Sequence, residues 1–149
     1  MTNQLKPFDY FLKAGIVRKQ LPDKERAKFL IVEAENAYQS ILESVNKVKI
    51  NNINANTFVK NAYDTVMELI RAILLMRGFN PSGSYAHEAE VVYLRELKFS
   101  EADVEFANQL RYFRNGAMYY GTILKIDYAN KVIGFVKDIY PKLKRLAKP

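Results

Sequence analysis

Arg114 and Asn115, followed by Tyr119 and Tyr120 in the run RNGAMYYG, are the residues of this 149-residue chain best suited to chemistry. A guanidinium can hold a phosphate through two parallel hydrogen bonds. A carboxamide can orient a hydroxyl, and a phenol can stack on a base or hydrogen-bond. Arg111 adds a second guanidinium three residues upstream. Together these residues suggest a cluster that faces a nucleotide or RNA. If the helix carrying them continues through the run, Arg111, Asn115 and Tyr119 stand four apart on one face, with Arg114 beside them. If it stops, Asn115-Gly116 is a helix C-cap and the tyrosines pack on the core.

The elements that must position this cluster read as helices almost throughout. A turn or two of helix is expected around Phe8 to Leu12, within an N-terminal segment (residues 1–22) that is an extension or short helix. Pro22 and Asp23 mark a helix start. Apolar residues then recur at Ala27, Leu30, Ala34, Ala37, Ile41, Val45 and Val48, with spacings of three and four. The asparagine-rich stretch Asn51 to Asn56 ends that helix and caps the next. The next keeps the rhythm at Val59, Ala62, Val66, Leu69, Ile73 and Met76, so the two predict an antiparallel pair. Gly78 ends the second helix and Asn80-Pro81-Ser82-Gly83 makes a turn. A third helix is expected from about Tyr85 to Lys98. Ser100 with Asp103 resembles a capping box that opens a fourth, running towards Arg114. A fifth, from about Asp127 to Leu146, has its stripe at Ala129, Val132, Val136, Ile139, Leu143 and Leu146. No strand-like alternation stands out. The prediction is one all-α domain, an up-and-down bundle of four to five helices.

Composition and charge bound the function. Half of the residues are apolar (49%), which excludes disorder. The densest apolar run, Ala72 to Met76, lies between Arg71 and Arg77, so no membrane span is expected. No secretory signal is expected at the start either. The lack of cysteine rules out disulfides and thiolate metal sites and suits a cytoplasmic setting. The formal net charge of +7 is unevenly spread: residues 1–28 carry +4, residues 29–110 carry −4 and residues 125–149 carry +5. If the two ends lie together, one face is strongly basic, and that favours a polyanion such as RNA or an acidic partner. Solvated lysines without a partner are the plainer alternative.

Other features read as structure. Asn36-Ala37-Tyr38 and Asn61-Ala62-Tyr63 begin similar octets 25 residues apart; without a third copy they mark paired core helices rather than a repeat array. Glu33-Glu35 and Glu88-Glu90 are i,i+2 pairs and read as solvated surface. His87, the one histidine, is expected near the start of the third helix with Ser84 as N-cap and its imidazole bonded locally. A proton-transfer role would require it to fold back beside Arg114. The basic tail Lys142 to Lys148 reads as a solvated helix end. No P-loop, GxGxxG fingerprint or metal-ligand spacing is present, so neither a metal nor another cofactor is expected.

Three features in order resemble the HEPN family (higher eukaryotes and prokaryotes nucleotide-binding). They are AILLMRGFNPSGSYAHEAEVVYL with Gly78, Pro81 and His87, then Arg114-Asn115, then the Asp-initiated helix DYANKVIGFVKDIYPKLKRL. The resemblance spans roughly residues 24–146 and implies that residues 1–149 form a single HEPN-like helical domain. It implies a homodimer with the two arginine–asparagine motifs near the interface, and a minimal nucleotidyltransferase as partner in a toxin–antitoxin pair. Active members are metal-independent ribonucleases with an arginine and a histidine separated by four to six residues. With Arg114 as that arginine, the histidine position holds Tyr119. A free tyrosine is ionised to about one part in a thousand at pH 7, and losing a general acid–base typically costs about 10²- to 10⁴-fold in rate. The family tyrosine that a partner adenylylates falls here at Gly121.

Three functions are compatible with this pattern. The first is a catalytically degenerate protein that binds RNA or a nucleotide through Arg111, Arg114 and Tyr120, with Arg114, Asn115 and Tyr119 as the altered catalytic motif. The second is a metal-independent endoribonuclease that uses Tyr119 or a relocated His87. The third is a non-catalytic dimerisation or adaptor module.

Overall fold

The structure is a computed structural model that describes residues 5–119 and 125–148, with the side chains of residues 117–119 outside that description. The described residues form six helices, one of them long and central. In chain order the elements are α1 (Phe8–Lys13), β1 (Val17–Lys19), α2 (Lys24–Lys47), α3 (Ala55–Met76), β2 (Phe79–Pro81), α4 (Ala86–Glu96), α5 (Glu101–Tyr119) and α6 (Ile126–Leu146). The architecture is all-α as the apolar spacing predicts, and no helix among the described residues is long and apolar enough to cross a membrane.

α3 is the axis because it is apolar on nearly every side. Fourteen of its residues are buried, against Ala27, Ala34 and Ile41 alone in α2. One helix therefore serves as core for α2, α4, α5 and α6. The Asp23 carboxylate caps α2 by accepting from the Arg26 backbone N–H at 3.1 Å. The Asp23 N–H in turn donates to Leu75 at the far end of α3, at 3.0 Å. This bond fixes the pair as antiparallel. Between them, Asn51 and Asn54 fold the connection on itself, each side chain accepting from the other's backbone N–H (3.0 and 2.8 Å). Asn54 stands at the N-cap of α3 without capping it through its side chain.

The expectation of no strands is corrected. β1 and β2 pair antiparallel, Val17 opposite Pro81 and Lys19 opposite Phe79. Three-residue strands have no alternation to detect. This ribbon forms because Gly78 turns the chain back at φ +82° and the Gln20 N–H donates to the Gly78 carbonyl at 2.8 Å. α1 seals it from the other side, with Phe8 edge-on to Phe79 (5.5 Å) and close to Tyr93 of α4 (4.7 Å).

Two boundaries decide where the candidate site lies. α4 starts one residue later than expected, so Tyr85, not Ser84, is its N-cap, and no side chain caps it. α4 closes with Lys98 at φ 68°, where the Phe99 N–H reaches the Leu94 carbonyl and the Lys98 N–H the Arg95 carbonyl, both at 3.0 Å. Ser100 then caps α5 by accepting from the Asp103 N–H at 3.1 Å. α5 runs on through Asn115-Gly116, so the C-cap alternative does not hold.

Candidate phosphate-binding corner

Arg114 occupies what would be an apolar position. Val104, Ala107 and Leu110 form the buried stripe of α5, and the next place in that rhythm is Arg114. The long side chain therefore lies against α3, with 19% of its surface exposed. Its guanidinium carbon lies 5.6 Å from the Tyr63 ring centroid, and Nη2 donates to Asp64 Oδ1 at 3.3 Å. Among the described residues its buried Nε has no hydrogen-bond partner. One turn earlier, Arg111 is held by Asn108, whose Oδ1 accepts from Nε and Nη2 at 3.1 and 3.0 Å. Asn115 is half-buried beside them. Tyr119 lies within α5, but its side chain, and all of Tyr120, lie outside the described residues.

The same tyrosine meets the histidine. The His87 ring stands edge-on to Tyr63 at 6.1 Å, so Tyr63 neighbours both Arg114 and His87. His87 Nδ1 is 2.9 Å from Oε1 of Glu90, three residues on along α4. Glu90 is fully buried and also accepts from Arg71 of α3 at both oxygens, Nε at 2.7 Å and Nη2 at 3.1 Å. The imidazole is bonded locally, as expected.

Glu90 itself corrects the sequence reading. Glu88-Glu90 is not a solvated pair. Residues 89–94 of α4 are all buried, and the helix sinks Glu90 into the bundle, where only a charged partner makes burial tolerable. A signal for this was present: Arg71 interrupts the apolar run Leu69 to Leu75, and a guanidinium inside a central helix needs a carboxylate. Sequence reasoning thus missed four members of the corner, namely Tyr63, Asp64, Arg71 and Glu90.

Tyr63 is buried and its hydroxyl has no hydrogen-bond partner among the described residues. Burial pushes the phenol well above its ordinary value, with Glu90 adding to the shift and Arg111 and Arg114 opposing it. It stays neutral, able to donate but not to take a proton at neutral pH. Glu68, a turn beyond Asp64, is also raised, first by burial and then by the negative charge of Asp64 and Glu33. The corner thus sets the guanidiniums of Arg111 and Arg114 on α5 against a carboxylate edge, Asp64 and Glu68, on α3.

The other expected surface pair is corrected in part. Glu35 of α2 is half-exposed, yet it accepts from Tyr140 and Lys144 of α6. Tyr140 also stacks on Tyr38 at 3.8 Å. The Lys144 hydrogen bond first, then that from Tyr140, holds the Glu35 carboxyl below its ordinary 4.5. The fold therefore binds this proton less readily than the unfolded chain does. The stabilisation is present above 4.5 and fades as pH falls through the lowered value. At this exposure it is worth no more than about 1 kcal/mol. Chemical denaturation of wild type and Glu35→Gln should show a gap at neutral pH that closes in strong acid; a gap that widens in acid contradicts this sign.

The basic tail is helical to Leu146 and lines a groove of about 430 Å³ with Lys98, Ser100 and Asp103, to which it contributes Lys142 and Arg145. Compared with protein-family models, with curated proteins and with solved structures, the chain has no match.

Proposed function

We propose that this protein binds RNA or a nucleotide as a HEPN-like helical module, with the phosphate held at the corner between α3, α4 and α5. One observation carries this reading: Arg114, the arginine of the motif, converges with His87 on Tyr63, with Arg111 one turn away. A phosphate entering there can exchange the weak 3.3 Å contact of Arg114 with Asp64 for a charge-assisted pair. The excess of positive charge in the chain favours the approach of a polyanion. The motif position itself holds Tyr119, so the motif binds rather than cuts. A homodimer, and a minimal nucleotidyltransferase as protein partner, belong to the same reading.

The test is a binding titration of labelled single-stranded RNA in EDTA at several salt concentrations. Affinity should fall steeply with salt, and Arg114→Ala should weaken binding by about 10- to 100-fold, the worth of one hydrogen-bonded charge. Binding indifferent to salt and to the substitution contradicts the proposal.

A further inference from the structure

We propose that the groove at the end of α6 is a docking site for an acidic peptide segment of a partner protein, anchored by one apolar side chain. Two distant parts of the chain meet around its 430 Å³: Lys98 from the α4–α5 connection, and Lys142 and Arg145 from α6. All three cations are exposed, and among the described residues none has an ion-pair partner. Their neighbours Arg95 and Lys144 do, with Glu101 and Glu35. One carboxylate, Asp103, shares the groove with them. The positive charge here is therefore local and unanswered, which suits a ligand that brings several carboxylates.

Lys98 is an independent mark of use. It stands at φ 68°, the left-handed conformation in which helices commonly end on glycine. Glycine would close α4 there without strain, whereas lysine strains the backbone and sets a cation at the groove. The lining favours a peptide over a nucleic acid. Leu97, Phe99 and Leu146 supply an apolar wall, with Leu146 37% exposed. A nucleic-acid strand carries a charge at every phosphate and would press one against Asp103. A peptide can set its carboxylates at Lys98, Lys142 and Arg145 and turn a backbone N–H towards Asp103. Asp103 lies in the first turn of α5, roughly 16 Å along the helix from Arg114, so the proposal does not depend on the phosphate-binding reading.

The probe is a pool of fluorescent decapeptides, each with one leucine, isoleucine or phenylalanine among glutamates and aspartates. It is titrated with the full chain and read by anisotropy. Binding should saturate and weaken with salt, and Lys142→Glu combined with Arg145→Glu should weaken it by about tenfold or more. Lys98→Gly should weaken it about threefold while leaving the urea midpoint unchanged or raised, which separates lost binding from lost folding. Arg114→Ala should bind the peptides as wild type does. No saturable binding, or binding that these groove substitutions leave unchanged, overturns the proposal. Single-stranded RNA that displaces the peptides, and whose own affinity falls with the groove substitutions but not with Arg114→Ala, makes the occupant a nucleic acid and overturns it too.

Discussion

Arg71→Met should destabilise the protein by about 3–5 kcal/mol, measured as a lower urea midpoint at unchanged slope, because it leaves the Glu90 carboxylate buried without its cation. Glu90 is 0% exposed and lies on a stretch of α4 whose residues 89–94 are all buried. Among the described residues His87 is its one remaining partner, and a single imidazole cannot replace a two-pronged guanidinium. The loss comes from stranding a charge, so removing the charge as well should undo much of it. Arg71→Met with Glu90→Leu should recover most of the stability, since well-packed apolar residues often replace a buried ion pair at little cost. A single variant that loses less than about 1 kcal/mol would mean that Glu90 reaches water or takes up a proton at little expense.

Gly78→Ala should cost about 3 kcal/mol, combining a left-handed backbone that L-residues avoid with a collision that cannot be relieved by a side chain. The residue sits at φ +82°, and an added Cβ would lie 2.6 Å from the Gln20 carbonyl oxygen. That oxygen belongs to backbone tied to Gly78 by the hydrogen bond that closes the two-stranded ribbon. Gly83 is the internal control. Its φ is +85°, but its Cβ would meet nothing within 4 Å, so Gly83→Ala should lose only the conformational part, about 1–2 kcal/mol. Thermal unfolding of both variants separates strain from collision. Equal losses would mean that the ribbon moves aside for the methyl group.

Much of the fold was legible because its helices are long and their stripes regular. The positions expected to be buried in α3 and α6 are buried, with Met76 half-buried and Leu146 exposed at the very ends. Even Pro141 lies inside α6, as the unbroken spacing from Val136 to Leu143 implies. What stayed hidden is non-local. A proline or glycine near a three-residue strand looks like an ordinary turn. Gly116 left open in sequence whether the helix stops there, and α5 continues, because helix interruption by one glycine is worth only about 1 kcal/mol. Phe113 packing on Tyr128 of α6 at 5.0 Å, and Phe106 on Phe135 at 4.5 Å, outweigh that.

The candidate site divides along the same line. Arg111, Arg114 and Asn115 could be named from local pattern, and an unbroken α5 places them together. The fourth-helix face and the lone histidine were seen separately. What joins them is Tyr63, which in sequence looked like one more core aromatic in an echo of Tyr38. The two echoed tyrosines part company in the structure: Tyr38 stacks on Tyr140 at the edge of α2, while Tyr63 is buried between Arg114 and His87. Glu90 was misjudged because i,i+2 spacing on a helix puts one of two residues on the opposite face, and here that face is inward.

The claim that RNA is held at this corner is tested most directly by two substitutions that should act in opposite directions. Asp64 pairs with Arg114 and would face a phosphate bound there, so under the proposed function Asp64→Asn removes a competitor and a repulsive charge together. RNA titrations of wild type, Arg114→Ala and Asp64→Asn at one low salt concentration should give a weaker affinity for the arginine variant and a tighter one for the aspartate variant, each by about tenfold or more. Three superimposable curves, or an aspartate variant that binds more weakly than wild type, would contradict the account and move the RNA elsewhere on the protein.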